Sequence, residues 1–89
     1  MDFWLLDVQS TVNVNGKDVA FDYINTFFEK NEALNEAKLL CENEDILQVL
    51  VVQWKLHSDG TQENLDCIFS FLNEEHRELK GKEDIKWNT

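Results

Sequence analysis

Residues 3–21 read FWLLDVQSTVNVNGKDVAF. Trp4, Leu6, Val8, Val12 and Val14 hold even positions, broken only by Ser10. Asp7, Gln9, Thr11 and Asn13 hold odd ones. Alternation of period two over this length predicts a long half-buried strand. Phe3 and Leu5 make its first residues apolar on both faces. Asn15-Gly16 then marks a hairpin, because both residues tolerate the positive φ that a type I′ turn requires.

The segment after the turn decides the architecture. A return strand over residues 17–21 would set Val19 opposite Val12 and Phe21 opposite Ser10. The alternative is a helix started at once, with Asp18 as its N-cap. Val19, Ala20, Tyr23, Ile24, Phe27 and Phe28 fit helical spacing, so the pattern predicts a tight turn or short return strand and then a helix over about residues 19–30.

Further along, residues 31–36 (NEALNE) fit either a longer helix or a loop, and residues 38–41 read weakly as a strand. Glu42-Asn43-Glu44-Asp45 is a charged turn. Residues 46–56, ILQVLVVQWKL, are apolar on both faces for most of their length and predict a central buried strand. His57-Ser58-Asp59-Gly60 ends it. In the last third, Leu65, Ile68, Phe69, Leu72, His76 and Leu79 fall on one stripe at helical spacing. Asp59 or Thr61 serves as a cap, and Lys80-Gly81 as a stop.

The elements in sequence are β-(β)-α-β-β-α. They imply an α+β fold: a small antiparallel sheet of three to four strands with two helices on one face. Residues 1–81 are expected to form a single domain and residues 82–89 a polar C-terminal tail. The opposite face of the sheet, carrying the odd-numbered side of the first strand, is expected to be open in part. The expected core comprises Trp4, Leu6, Val8, Tyr23, Ile24, Phe27, Leu50, Val52, Leu65, Ile68, Phe69 and Leu72. Trp54 is expected to join it, and Trp87 either folds back over a core edge or anchors a partner.

Charge narrows the function classes. Eighteen Asp and Glu stand against eight Lys and Arg, for a net charge of -10. Binding to nucleic acid or to anionic lipid draws on clustered basic groups, and the eight here are scattered, so neither is expected. The complementary partner is a basic protein surface, which acidic groups steer toward encounter. A plainer role for the same acidity is solubility. Hydrophobic residues make up 43% of the chain, too many for a disordered acidic tail.

No motif announces catalysis or a cofactor. Cys41 and Cys67 stand apart, with no Cys-x-x-Cys and no Cys/His cluster, so no zinc site is expected. His57 and His76 lack the setting that would make either cysteine a nucleophile. The acidic turn at residues 42–45 lacks the order of a calcium loop. The opening MDFWLLDVQS has no basic start and no long apolar run, so it does not read as a signal peptide. Two free thiols in a reducing cytoplasm are the simplest expectation.

On the expected last helix, Cys67 and Phe71 lie off the core stripe, and Glu74, Glu75 and Glu78 surround Phe71. An aromatic group framed by carboxylates suits a basic groove, so these five residues form the expected partner-binding set. The competing reading buries Phe71 at the edge of a wide apolar stripe. The β-α-β-β-α order with a glutamate-rich last helix resembles the small acidic regulators that mimic nucleic acid, such as the DinI type. That likeness lies in element order and charge, and no residue motif comes with it. Short length, acidity and the lack of a catalytic motif lead to the expectation of a non-enzymatic cytoplasmic protein that inhibits or neutralises a basic partner, such as a nuclease toxin or a nucleic-acid-processing or defence enzyme, as immunity proteins do. The alternative is an interaction module or homodimer that associates through an open sheet face or edge strand.

Overall fold

A computed structural model describes residues 1–73. Two long strands open it, β1 (Asp2–Val14) and β2 (Lys17–Phe27), followed by a helix, α1 (Lys30–Leu40), and two further strands, β3 (Ile46–Leu56) and β4 (Gln62–Leu72). The strands form one sheet in the order β2-β1-β3-β4, with every neighbouring pair antiparallel. The fold is thus α+β with a four-stranded antiparallel sheet, in the order β-β-α-β-β among the described residues.

The first hairpin closes where its dipeptide predicts. Asn15 and Gly16 take φ of 53° and 84°. Asn13 braces the turn, its Oδ1 accepting from the Gly16 amide at 3.2 Å and its Nδ2 donating to Asp18 Oδ1 at 3.2 Å. Val12 faces Val19 and Ser10 faces Phe21. The return strand does not stop at Phe21, however. It runs to Phe27, opposite Trp4, which overturns the expected helix over residues 19–30. Residues 19–28, VAFDYINTFF, fit both periods, yet β-branched and aromatic residues dominate them and favour strands. Once the turn has set the register, each further residue adds pairing without a new loop to close.

The helix forms instead from KNEALNEAKLL, a run of strong helix formers. Residues 38–40, read as part of a strand, are its last turn. Ala33 and Ala37 lie four apart on one side of it and are fully buried. Their small side chains let α1 pack closely on Leu6 and Val8 of β1 and on Val49 and Val51 of β3, all without solvent exposure. Ile46 completes this buried cluster. Trp4, Tyr23, Phe27, Leu40, Ile68, Phe69 and Phe71 pack around it, partly buried.

The second correction concerns β4. Residues 62–72 were expected within a helix, but they pair with β3. Leu65, Cys67, Phe69 and Phe71 alternate with Asn64, Asp66 and Ser70, a period-two signal that the helical stripe through Leu65, Ile68, Phe69 and Leu72 obscures. β3 is apolar on both faces, and a strand on each side satisfies its backbone where a helix at its flank would not. Two register shifts leave Ile68 and Leu65 without a partner of their own, so the face that a β4 residue occupies changes along the strand. Leu65 and Leu72, expected in the core, are exposed, as is Ile24 on β2. Leu50, Val52 and Trp54 are half-buried, on the sheet face away from α1. One helix, not two, covers the sheet among the described residues. The element order that supported a likeness to DinI-type regulators is therefore not the one observed.

The buried cluster yields a direct test. Leu6→Ala should destabilise the fold by about 2–5 kcal/mol, the usual cost of emptying a packed core site. Ile24→Ala should cost less than about 1 kcal/mol, because its side chain is exposed. Urea melts of the two variants measure both. Equal losses would mean that the buried face is misassigned.

Candidate protein-binding surface

Antiparallel pairing puts opposed residues on the same face, so the registers map the side of the sheet away from α1. One row joins Phe3 of β1, Trp54 of β3 and Asn64 of β4. The Phe3 and Trp54 rings stack with centroids 6.4 Å apart. The next row is Thr26, Leu5, Val52 and Cys67. Then come Ile24, Asp7, Leu50 and Ser70, and after them Asp22, Gln9, Gln48 and Leu72. Apolar and aromatic groups fill one half of the face, and polar and acidic groups take over toward the β1–β2 turn. No described residue covers it.

The charges on this face share one sign. Asp7, Asp18 and Asp22 lie on it, and Lys and Arg are absent from it among the described residues. Lys17 and Lys55 point to the α1 side of their strands, and Lys30 and Lys38 belong to α1 itself. Asp7 is half-buried among apolar neighbours. Burial, and then the nearby Asp22 carboxylate, push its pKa above the ordinary carboxylate value. A cation brought to this face would offset the repulsion between the two carboxylates.

The residues expected to bind a partner divide differently. Cys67 is an exposed free thiol on the open face, opposite Val52. Phe71 is opposite Val49, on the α1 side, and packs half-buried against the core. The strand therefore separates two residues that helical spacing would have placed together. Glu74, Glu75 and Glu78 lie outside the described residues, as do His76, Trp87 and the expected tail. Phe3, Leu5, Val52 and Trp54 were not in the expected set. Their signals were the start of β1, apolar on both faces at Phe3 and Leu5, and the doubly apolar run at residues 46–56, whose second face needs a cover of its own.

Other polar features serve the loops. The Asp59 carboxylate accepts from the Thr61 hydroxyl at 2.6 Å and the Thr61 amide at 2.9 Å, which lowers its pKa. His57 Nε2 meets Glu63 Oε1 at 2.9 Å across the mouth of the β3–β4 turn. Burial raises the pKa of the Cys41 thiol, which disfavours its nucleophilic form. No group of three or more His, Cys, Asp or Glu side chains is placed to hold a metal ion among the described residues. Nor is any described helix long and apolar enough to cross a membrane. Comparison with known proteins returns no matching family model, no matching curated protein and no matching solved structure.

Asp7 makes stability depend on pH in a calculable direction. Its folded pKa is raised above the ordinary 3.8, so between the two values the folded chain holds more protons than the unfolded one. Stability from this group then falls as pH rises through that window. Asp7→Asn should raise the melting temperature at pH 7, and the gain should shrink as pH is lowered toward 3.8. Thermal melts of both proteins across that range check the sign.

Proposed function

We propose that this chain is a small acidic binding protein that occludes a basic surface on a partner protein, without catalysis of its own. The observation that carries the reading is the open sheet face. It presents a stacked Phe3–Trp54 pair and the Leu5–Val52 row beside Asp7, Asp18 and Asp22, with every described Lys directed elsewhere. Such a face complements a partner surface that is apolar at one end and cationic toward the other. Aromatic groups in a water-excluding setting supply affinity, and like-signed charges supply steering. Enzymes that handle nucleic acid keep clefts of the required sign, since they must hold phosphates. A nuclease toxin or a nucleic-acid-processing or defence enzyme is accordingly the favoured class of partner. Carboxylates would take the places that phosphates occupy in such a cleft. The net charge of -10 extends the same attraction beyond the contact itself.

The test begins with capture of the partner from the native host and is decided by kinetics on the purified pair. Association should slow as salt is raised, because exposed charges are screened beyond about 8 Å at physiological ionic strength. Asp22→Lys should slow association, most visibly at low salt. Trp54→Ala should speed dissociation by roughly thirtyfold, as for loss of a hot-spot aromatic worth about 2 kcal/mol. A captured protein indifferent to salt and to both substitutions would refute this use of the face. Gel shifts at low salt with duplex and single-stranded DNA and RNA should show no saturable complex. A micromolar one would sink the electrostatic argument as a whole.

A further inference from the structure

The sheet has two edges, and they are built differently. β4 is interrupted by two register shifts, a common way to keep an edge from recruiting another strand. β2 pairs with β1 from Trp4–Phe27 to Val14–Lys17 without a shift, so its outer edge is regular over 11 residues. It has no proline, and its sole lysine is its first residue. Bulges, proline and mid-strand lysine are thus missing from this edge, and Asp18 and Asp22 are its charges beyond Lys17.

No described residue covers the apolar surface beside it either. α1 is about 16 Å long and β1 about 43 Å, from the rise per residue of each. Pairing of β1 with β3 ends at Ser10–Ile46, so the rest of the first hairpin projects past the helix as a two-stranded arm. Val12, Val14, Val19 and Phe21 line the α1 side of that arm and are 43–47% exposed. Phe21 stacks on Tyr23 at 6.1 Å and joins this strip to the core.

We propose that the β2 edge is an interface with a second copy of this chain. The two β2 strands pair antiparallel across a two-fold axis at Phe21 and join two four-stranded sheets into one of eight. The side chains select the register. With the axis at Phe21, Val19 faces Tyr23 of the second copy, Ala20 faces Asp22, Asp18 faces Ile24 and Lys17 faces Asn25. Branched residues thus meet aromatic ones, and no carboxylate stands directly opposite another. An axis at Asp22 would set that carboxylate against its own copy, one at Ala20 would set Asp18 against Asp22, and one at Tyr23 would set Phe21 against Asn25. An axis normal to the sheet keeps both helices on one side, so the two exposed strips around Phe21 merge and bury each other. The interface is isologous and closes at two copies. It leaves the open face free and is independent of the proposed basic partner.

Sedimentation velocity on the full chain tests this over a wide concentration range, at about 0.05 and about 0.5 M NaCl. A species of twice the 10.5 kDa chain mass is expected. It should tighten as salt rises, because the two copies carry like net charge. Salt acts in the opposite sense on binding to a basic partner, so failure of one reading does not imitate failure of the other. Phe21→Glu places two carboxylates on the axis and should weaken the dimer by on the order of tenfold or more. Trp54→Ala, on the open face, should leave it unchanged. Should Phe21→Glu fail to fold, Phe21→Cys with Cys41→Ala and Cys67→Ala decides: mild oxidation should link it into a covalent dimer. Asp22→Cys in the same background should not link, because Asp22 faces Ala20. A chain that stays monomeric at every concentration and both salts overturns the proposal. So does a dimer insensitive to Phe21→Glu, or one whose axis does not cross-link through Phe21→Cys.

Discussion

Ala33 and Ala37 meet Leu6, Val8, Val49 and Val51 with no solvent between them. This contact between two methyl-sized residues of a short helix and four aliphatic ones on the two central strands organises the molecule. Small side chains allow the helix axis to settle low over the β1–β3 pair, so even 11 residues of helix bury that pair. A larger residue at either alanine would lift α1 from the sheet and open the core that Trp4, Tyr23, Phe27 and Phe69 surround. The position of the helix also determines what is left over. One sheet face, the two edge strands and the projecting arm of the first hairpin remain uncovered by the described residues, and each of them is apolar in part.

The chain announces its strands more clearly than its helix. The alternation from Trp4 to Val14, the Asn15-Gly16 turn and the run from Ile46 to Leu56 all specify what forms. In two places periodicity misleads. Residues 19–28 and 65–72 contain enough apolar groups to satisfy a spacing of three to four as well as one of two. Composition separates the readings. Phe, Tyr, Ile, Val and Thr crowd the two strands, whereas Ala, Leu, Glu and Lys crowd the helix at residues 30–40. The bulges in β4 blur its alternation further, since Ile68 and Leu65 are inserted without partners. Of the site, the acidity and the half-open odd face of β1 were legible. The pairing of Phe3 with Trp54 was not, because it rests on a β1–β3 register across some fifty residues of chain.

The asymmetry of charge gives the surface its character. A chain with excess carboxylates can scatter them evenly and gain solubility alone. Here the lysines of the described residues lie on α1 and on the α1 side of the strands, where Asp2, Glu63 and Asp66 lie as well, whereas the other side carries Asp7, Asp18 and Asp22 with no described cation. The raised pKa of Asp7 follows first from its burial and then from the neighbouring Asp22 carboxylate.

The strand order β2-β1-β3-β4 also bears on how the chain reaches its fold. Each outer pair is a hairpin between neighbours in sequence, closed by Asn15-Gly16 on one side and by the turn through Gly60 on the other. Such hairpins form in microseconds from local contacts. Only the β1–β3 seam and the helix laid over it join distant parts of the chain, and they hold the whole fully buried cluster. The entropy of closing a long loop is thus concentrated at one seam. Until that seam closes, both hairpins expose Leu6, Val8, Val49 and Val51 together. The slowest step in folding is then also the one most open to capture by another chain.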